Sequence, residues 1–429
     1  MRNILRDPQP VLDELRETYG PVVGLGAGPM RMAIVGEPDA LRELFSTPVD
    51  AFKWGHKFNV LGFVVGDGSM IVSDGPDHKR RRASVLTAFS RRRLNGWIPT
   101  IVALTDEAID ELGAPTVPVD MYRFGRKLIL HIVVRTIFGA RMAERADEFG
   151  DLFERPQAYL ESPALRQLPH RIPYTRRARV RADRAAIDAI IDGEIAHHRA
   201  NPETDPESLL AALVTNEGLS DAEIRDQVVT LIGAGYDTTS ASLAWMLWRA
   251  TLTPGVWDRL RSEADQQLGD TVDEAVLARL EYANHVMRET LRLHPAGVIA
   301  PREAATDVAI GKYTITKGTL ILWSAYLAGR DPEAWPEPLR FDPDRFADAD
   351  ARTRAETAWV PFGRGARNCI GFALAQMELT LIIARVAQRL DLVPVTSTVP
   401  RPVGMVVNRP EGGAPMRVTV RKEEEHADG

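Results

Sequence analysis

Hydrophobic residues recur every three or four positions through most of the middle of the chain. This period is typical of amphipathic helices that bury one face. It predicts helices over 98–112, 121–138, 183–198, 221–251, 255–268 and 280–293. A shorter helix is predicted after Glu37-Pro38-Asp39, and a last one from about 370 to 389. The chain is therefore predicted to be mainly α-helical.

The hydrophobic pattern changes in three places, where branched apolar residues stand between glycines and other turn residues. These segments predict short strands at about 21–36, 298–323 and 395–420. The proline-rich segment 331–346 predicts an irregular loop. The β segments are far apart in sequence and need one another for pairing. We therefore predict one domain over 1–429, mainly α with a small β region.

Composition narrows the class of protein. The chain has 429 residues, is 45% hydrophobic and 26% charged, and carries a net charge of −6, which is typical of a globular protein without bulk attraction to nucleic acid. The N-terminus lacks the apolar core of a signal peptide, and no stretch approaches 18 uninterrupted apolar residues. We expect a cytoplasmic monomer without a membrane anchor.

The single cysteine, Cys369, excludes an internal disulfide and a zinc site built on several thiolates. It follows Phe362-Gly363-Arg364-Gly365-Ala366-Arg367-Asn368 and precedes Ile370-Gly371 and a predicted helix. Two glycines permit a tight loop, and a helix start favours a thiolate, which could bind a metal ion. A buried structural cysteine and a nucleophile with a histidine partner are the alternatives. These residues alone leave all three open.

The ten residues from Phe362 to Gly371 resemble the haem-binding signature of the cytochrome P450 family, Phe-Gly-x-Gly-x-Arg-x-Cys-x-Gly, at every fixed position. The resemblance implies the P450 fold and a haem b cofactor (iron protoporphyrin IX) with Cys369 as its metal ligand. It also implies that Phe362, Gly363, Arg367 and Gly371 contact the cofactor. The missing eukaryotic anchor points to a soluble, bacterial-type member.

Glu289-Thr290-Leu291-Arg292 resembles the family's Glu-x-x-Arg motif, and Phe341 to Phe346 resembles its proline–arginine–phenylalanine segment. An acid and a base three residues apart share one helix face, and such pairs are common on surfaces. The resemblance instead implies that Glu289, Arg292 and Arg345 form a buried structural network.

The segment Ala234-Gly235-Tyr236-Asp237-Thr238-Thr239 resembles the family's oxygen-activating segment. Glycine and adjacent threonines are poor helix formers, so their place in a long predicted helix invites a functional reason. A helix that packs small residues against a neighbour is the alternative. The resemblance implies that Asp237 and Thr238 are catalytic and relay protons to dioxygen.

Basic residues at family positions imply contacts with the two haem carboxylates, the propionates. His78 and Arg82 lie four residues apart on a predicted helix, Arg302 follows Arg292 by ten residues, and Arg367 lies in the cysteine loop. Taken individually, each is better explained as a surface charge; as a set of four at the family's spacing, they favour the propionate role.

The substrate pocket follows from family analogy alone and is largely apolar. It is expected to include Phe58, Val60, Phe63, Val64, Ala234, Val298, Ile299, Met405 and Val406. A small hydrophobic substrate is therefore expected. The arginine-rich run 166–184 would flank its access lid.

The resemblance implies a monooxygenase that takes electrons from a ferredoxin or flavodoxin-type partner served by an NAD(P)H-dependent reductase. Seven basic residues within 79–82 and 91–93 suggest a docking surface for an acidic partner. Four alternatives stay open: a peroxide-using enzyme, an oxidative coupling or rearrangement enzyme, a haem sensor and a haem-free scaffold.

Overall fold

The computed structural model describes residues 7–54, 60–162, 164–348, 353, 356–404 and 406–421. Helices account for most of these residues. The first nine are α1 (Gln9–Tyr19), α2 (Pro38–Ser46), α3 (Val60–Val65), α4 (Gly75–Ala88), α5 (Arg91–Gly96), α6 (Ile98–Leu112), α7 (Met121–Phe138), α8 (Ala140–Ala143) and α9 (Ala146–Leu160). The next nine are α10 (Ala164–Gln167), α11 (Arg176–Ala200), α12 (Leu209–Val214), α13 (Asp221–Leu252), α14 (Val256–Gln267), α15 (Glu274–Arg279), α16 (Glu281–Leu293), α17 (Ala325–Ala328) and α18 (Phe372–Arg389).

The strands are short and form four small sheets. They are β1 (Val22–Leu25), β2 (Met32–Val35), β3 (Phe52–Lys53), β4 (Val119–Asp120), β5 (Ala300–Ala304), β6 (Val308–Ile310), β7 (Tyr313–Ile315), β8 (Leu320–Trp323), β9 (Leu390–Pro394), β10 (Pro402–Val403), β11 (Arg409–Pro410) and β12 (Pro415–Val420). The largest sheet has the order β1-β2-β8-β5-β3, and only its β2–β8 pair is parallel. The other sheets are β4-β12-β9, β10-β11 and β6-β7.

Helix α13 is the centre of the molecule. It has 32 residues and begins with a capping box, in which the Ser220 hydroxyl accepts the Glu223 backbone N–H and the Glu223 carboxylate accepts the Ser220 N–H. Its residues are buried on nearly every side, because α7, α11, α16 and α18 all pack on it. A helix buried all round can carry glycine and threonine because tertiary packing outweighs their weak helix propensity.

The predicted mainly α class with a small β region is confirmed, and several helix limits agree to within two residues. Helix α11 was predicted to begin at 183 but begins at Arg176. Its first two turns are rich in exposed arginine and lack an apolar period, so the pattern missed them. Across the described residues, we find no helix whose length and apolar character would let it cross a bilayer.

Candidate functional site

The cysteine loop is held by its own backbone. The Cys369 N–H donates to the Phe362 carbonyl at 2.8 Å, which closes the loop. Gly363 and Gly365 have φ of 65° and 73°, a region that favours glycine. A Cβ on Gly365 would lie 2.9 Å from the Phe45 carbonyl, so this position also lacks room for a side chain. The predicted glycine-dependent loop is confirmed.

Cys369 itself keeps an exposed face although protein atoms surround most of it. Burial raises the pKa of its thiol, while the Gly371 N–H and the charge of Arg82 lower that pKa. The predicted effect of the helix start is therefore outweighed by burial in the chain alone. A bound metal ion would supply the missing stabilisation of the thiolate. A Cβ on Gly371 would meet no atom within 4 Å, so space is open beside the cysteine.

Arg302, on β5, is a buried cation without an acidic partner among the described residues. Its side chain is 6% exposed, and its Nε lies buried without a hydrogen bond. The rings of Phe45, Phe52 and Trp54 surround its guanidinium at 4.9–5.3 Å. Burial and the charge of Arg367 lower the pKa of Arg302 to about 10. A buried guanidinium without a paired anion is energetically costly, so this position would favour a bound anion.

Three further bases lie with Arg302. Arg367 stacks over Trp54 at 4.0 Å and pairs with Asp74 at 3.0 Å, and burial lowers its pKa to about 10. Arg82 donates to the Asn368 side chain at 2.6 Å, and burial lowers its pKa as well. Burial, Arg367 and Arg82 lower the pKa of His78 to about 4. The four predicted propionate partners thus influence one another electrostatically beside the cysteine loop.

These observations fit haem. The group around Arg302 has three arginines and a histidine against one paired carboxylate, Asp74, so a ligand with two negative charges would relieve their repulsion. A thiol with an exposed face lies in the adjoining loop, next to open space at Gly371. Cys369 would hold the iron, while Arg302 and its neighbours would hold the carboxylates.

The Glu289–Arg292 pair of α16 is completely enclosed, with both side chains at zero exposure. Arg292 donates two bonds to the Glu289 carboxylate at 2.7 and 2.8 Å and others to the carbonyls of Gly329, Pro338 and Arg340. Arg345 approaches Glu289 at 3.4 Å, and the Asp342 N–H donates to it at 2.8 Å. The contacts agree with the predicted network and fasten the loop 329–345 to α16.

Asp237 faces away from its neighbour Thr238. Its carboxylate accepts the Tyr122 hydroxyl at 3.3 Å and lies 3.8 Å from Arg126 Nε. It lines a polar cavity of about 460 Å³ that Glu161 and Arg409 also line. Burial raises the pKa of Asp237, and the charges of Arg126 and Arg409 oppose that rise. Motif spacing did not predict Tyr122, Arg126 or Arg409, since nothing in one sequence links α7 and β11 to α13.

Thr238 donates its hydroxyl to the Ala234 carbonyl at 2.6 Å, one turn back along α13. Four other hydroxyls of this helix bond in the same way, those of Thr230, Ser240, Ser242 and Thr251. What sets this turn apart is exposure: Ala234 is exposed, whereas the other residues from Glu223 to Leu252 are buried or half-buried. The Ala234–Thr238 turn therefore faces open space.

The predicted pocket residues that the structure describes do not form one surface. Val60 and Phe63 pack around Val64 in a small cluster with Tyr159 and Val180. Val298 is fully buried against the N-terminal strands, with Ile299 packed beside it, so the Val298 side chain is closed to a ligand. Val406 is exposed. Phe58 and Met405 lie outside the described residues.

Four of the seven basic residues of the predicted docking surface form ion pairs within the chain. Arg80 and Arg81 both pair with Glu223, and Arg92 and Arg93 with Glu207. Arg82 points to the cysteine loop. Lys79 and Arg91 are exposed and form no ion pair with a described carboxylate. Nothing in the sequence indicated these two glutamates as partners, because they lie more than a hundred residues away from the arginines.

Comparison with known proteins identifies the family. The family model for cytochrome P450 matches residues 4–414. The chain is 36% identical over 385 residues to putative cytochrome P450 139 of Mycobacterium tuberculosis, an alignment covering 86% of this chain and 87% of that protein. It is 31% identical over 390 residues to the cyclooctat-9-en-7-ol 5-monooxygenase of Streptomyces melanosporofaciens, covering 89% and 84%.

A solved structure has the same fold. The retinoic acid bound cyanobacterial CYP120A1 superposes with a TM-score of 0.87 at 23% sequence identity, covering 95% of this chain and 94% of that one. The predicted fold is therefore confirmed.

Proposed function

We propose that this chain, which belongs to the cytochrome P450 family and is a haem b monooxygenase, inserts oxygen from dioxygen into a small hydrophobic substrate with electrons from a separate protein. The observation that carries the proposal is the Cys369 loop beside a buried cation, Arg302, that has no acidic partner among the described residues. The haem, when bound, supplies oxygen activation, for which a thiolate ligand is suited.

The chain's own residues would orient the cofactor and control protons. The guanidiniums of Arg302 and Arg367 would bind the two carboxylates of the haem through charge-assisted hydrogen bonds. Cys369 would bind the iron. The loop that carries Cys369 owes its backbone conformation to glycines with positive φ. The exposed Ala234–Thr238 turn would present a hydroxyl to the reacting side, and that hydroxyl is already oriented by its bond to the Ala234 carbonyl.

Asp237 would supply protons to this turn. It is buried, its pKa is raised, and it borders a polar cavity on the side away from Thr238. A carboxyl with a raised pKa can hold a proton and release it, which suits a general acid. Tyr122 and Arg126 hold the carboxylate toward the cavity, so delivery requires a side-chain rotation or a bridging water.

The substrate would be apolar. The side chains around α3 that family analogy assigns to the pocket are Val60, Phe63 and Val64, and none carries a charge. The Streptomyces relative is named as a monooxygenase of cyclooctat-9-en-7-ol, by its name an unsaturated alcohol, which carries no charge either. A screen of apolar compounds for a shift in the absorption spectrum of the ferric protein would identify a ligand.

The electron donor is proposed to be an acidic ferredoxin or flavodoxin. Lys79 and Arg91 are exposed, and α4, which carries Lys79, is tied to the cysteine loop by the Arg82–Asn368 bond. Lys79→Glu with Arg91→Glu should slow reduction by an acidic surrogate ferredoxin and weaken its salt dependence. An unchanged rate would remove this surface from the proposal.

Thr238→Ala tests oxygen activation. Haem content and ligand-induced spectral shift should be unchanged, while product per NAD(P)H falls and hydrogen peroxide rises. Losing an ordered proton source costs roughly 10²–10⁴ in rate. Ser240→Ala is the matched control, because Ser240 makes the same back-bond at 2.7 Å but is fully buried. Unchanged coupling in Thr238→Ala would contradict a proton-relay role for this turn and favour a sensor.

A further inference from the structure

Two further arginines, half-buried at the end of the central helix, have no acidic partner in the described part of the chain. Arg249 belongs to the last turn of α13, and Arg330 follows α17. The Arg249 Nε donates to His294 Nε2 at 2.9 Å, and the Arg330 guanidinium lies over the Tyr326 ring at 3.8 Å. Apart from these two contacts, the guanidiniums make no hydrogen bond or ion pair to a residue that the structure describes, and Nη1 of Arg330 is buried. Most of their donor groups are therefore unused.

His294 does not supply the missing negative charge or an acceptor for the remaining donors. It is 3% exposed and stacks on Trp245, with 3.9 Å between the ring centres. Burial, together with the charges of Arg249 and Arg330, holds the pKa of His294 well below its usual value, so the imidazole is neutral. Since its Nε2 accepts the hydrogen bond from Arg249, its proton lies on Nδ1, which is buried without a hydrogen bond. His294 therefore adds another unused donor.

Nearby acids have other partners. Asp331 pairs with Arg16 at 2.7 Å, and Asp13 accepts the Tyr326 hydroxyl at 2.8 Å. The charge of Asp13 acts on Arg330 only through space, since the two side chains form no ion pair. The Tyr326 ring and the C-terminal end of α13 attract cations, which offsets part of the cost of burying them. The hydrogen-bond donors of the two arginines are still not satisfied by the described residues.

We propose that Arg249 and Arg330 bind a small inorganic oxyanion of the phosphate type, between the end of α13 and the segment after α17. The planar fork of a guanidinium matches two oxygen atoms of such an ion, and two guanidiniums would share its charge. Both arginines keep exposed surface, so the ion can reach them from solvent. A bound ion would join α13 to the loop 329–345, which Arg292 fastens to α16. This binding is independent of the proposed oxygen chemistry.

Isothermal titration calorimetry of the haem-loaded full chain tests the site, with sodium phosphate as the probe and sodium chloride at equal ionic strength as the comparison. A single phosphate per chain should bind, and Tm should rise with phosphate concentration because the ion binds the folded chain preferentially. Chloride should do neither, since screening alone depends on ionic strength. Equal stabilisation in the two salts, or several weakly bound phosphates per chain, would mean an adventitious ion only and would overturn the proposal.

Arg249→Gln and Arg330→Gln should each weaken phosphate binding about ten- to a hundredfold, the usual effect of removing one charge-assisted hydrogen bond. In chloride the Tm of either variant should be unchanged or higher, because a half-buried cation without an acidic partner has been removed. Arg249→Lys keeps the charge and loses the planar fork, so it should retain part of the affinity. A lower Tm in both salts with unchanged phosphate affinity would show a purely structural role and contradict the proposal.

Arg179→Gln is the matched control. Arg179 is exposed near the start of α11 and forms no ion pair with a described carboxylate. The Arg184–Asp226 pair places this part of α11 beside the beginning of α13, at the opposite end from Arg249. Phosphate affinity should be the same in Arg179→Gln as in the unaltered chain. An equal loss of affinity in this variant would reduce the effect to general charge attraction and overturn the site.

Discussion

Two sets of buried cations in this molecule differ in what surrounds them. Arg292 is enclosed with Glu289 and backbone carbonyls, and Arg345 makes a third contact with that carboxylate. Arg302 is nearly as buried, yet its neighbours are aromatic rings and another cation, Arg367. Burying a charge is costly unless it is paired. The first set is satisfied by the chain, so it acts in folding; the second needs a ligand.

This difference separates structural charges from cofactor-binding ones: a buried charge that the chain itself pairs acts in folding, and one that it leaves unpaired is expected to bind a ligand. Among the residues that the structure describes, Glu289 of the first set is the only acid in direct contact with Arg292, and it contacts three partners at 2.7–3.4 Å. Removing it should damage the fold. Arg302 of the second set contacts no acid among the described residues, so replacing it should spare the fold and weaken cofactor binding. The predictions below test this contrast.

Glu289→Ala should have the largest effect. It leaves Arg292 as an uncompensated buried charge, which typically costs about 3–5 kcal/mol of folding free energy. We expect aggregated protein or a sharply lower Tm in thermal unfolding. Glu337→Ala is the control, because its pair with Arg340 is exposed on both sides and should change stability by less than about 0.5 kcal/mol. A haem-loaded Glu289→Ala protein of ordinary Tm would contradict the buried network.

Arg302→Met should have a smaller effect of a different kind. A charge-assisted hydrogen bond is worth about 1.5–3 kcal/mol, so haem should dissociate roughly ten- to a hundredfold faster. The stability of the haem-free chain should be unchanged or higher, since an apolar side chain replaces a buried charge among aromatic rings. Haem transfer to an acceptor globin and chemical unfolding measure the two quantities. A large loss of stability with unchanged haem retention would reverse the assignment.

At neutral pH His78 should give the smallest effect of the three, because its contribution to stability changes only as the pH is lowered below about 6.5. Its folded pKa of about 4 lies below the ordinary 6.5, so the unfolded chain takes up a proton first as pH falls. The haem-free chain should therefore lose stability between about pH 6.5 and 4, by at most about 1.4 kcal/mol per pH unit, and gain nothing from this group above 6.5.

His78→Asn should flatten that slope when unfolding by denaturant is followed across the pH range. In haem-loaded protein the slope due to His78 should shrink, because carboxylates nearby would favour the protonated imidazole. An identical slope in His78→Asn would place the pH dependence on other groups.

The sequence predicted the parts of this account that lie within one motif. The hydrophobic period was sufficient to predict α13, and the spacing from Phe362 to Cys369 was sufficient to predict the cysteine loop. Contacts between distant segments that no family motif covers were not predictable, and such contacts determine which charges are paired: Glu223 pairs with both Arg80 and Arg81 across more than 140 positions. The direction of Asp237 was missed for the same reason, since Tyr122 comes from α7. Motifs identify residues, whereas packing determines their partners.

The most direct test of the central claim is the absorption spectrum of the reduced, carbon monoxide-bound protein. Thiolate ligation by Cys369 predicts a Soret band strongly shifted to long wavelength, and Cys369→His should lose that band while Arg302 and its neighbours still retain haem. Cys369 is the only cysteine in the chain, so no other thiolate can replace it. A Cys369→His protein that kept the thiolate-type band, or an unaltered protein that never showed it, would contradict the account.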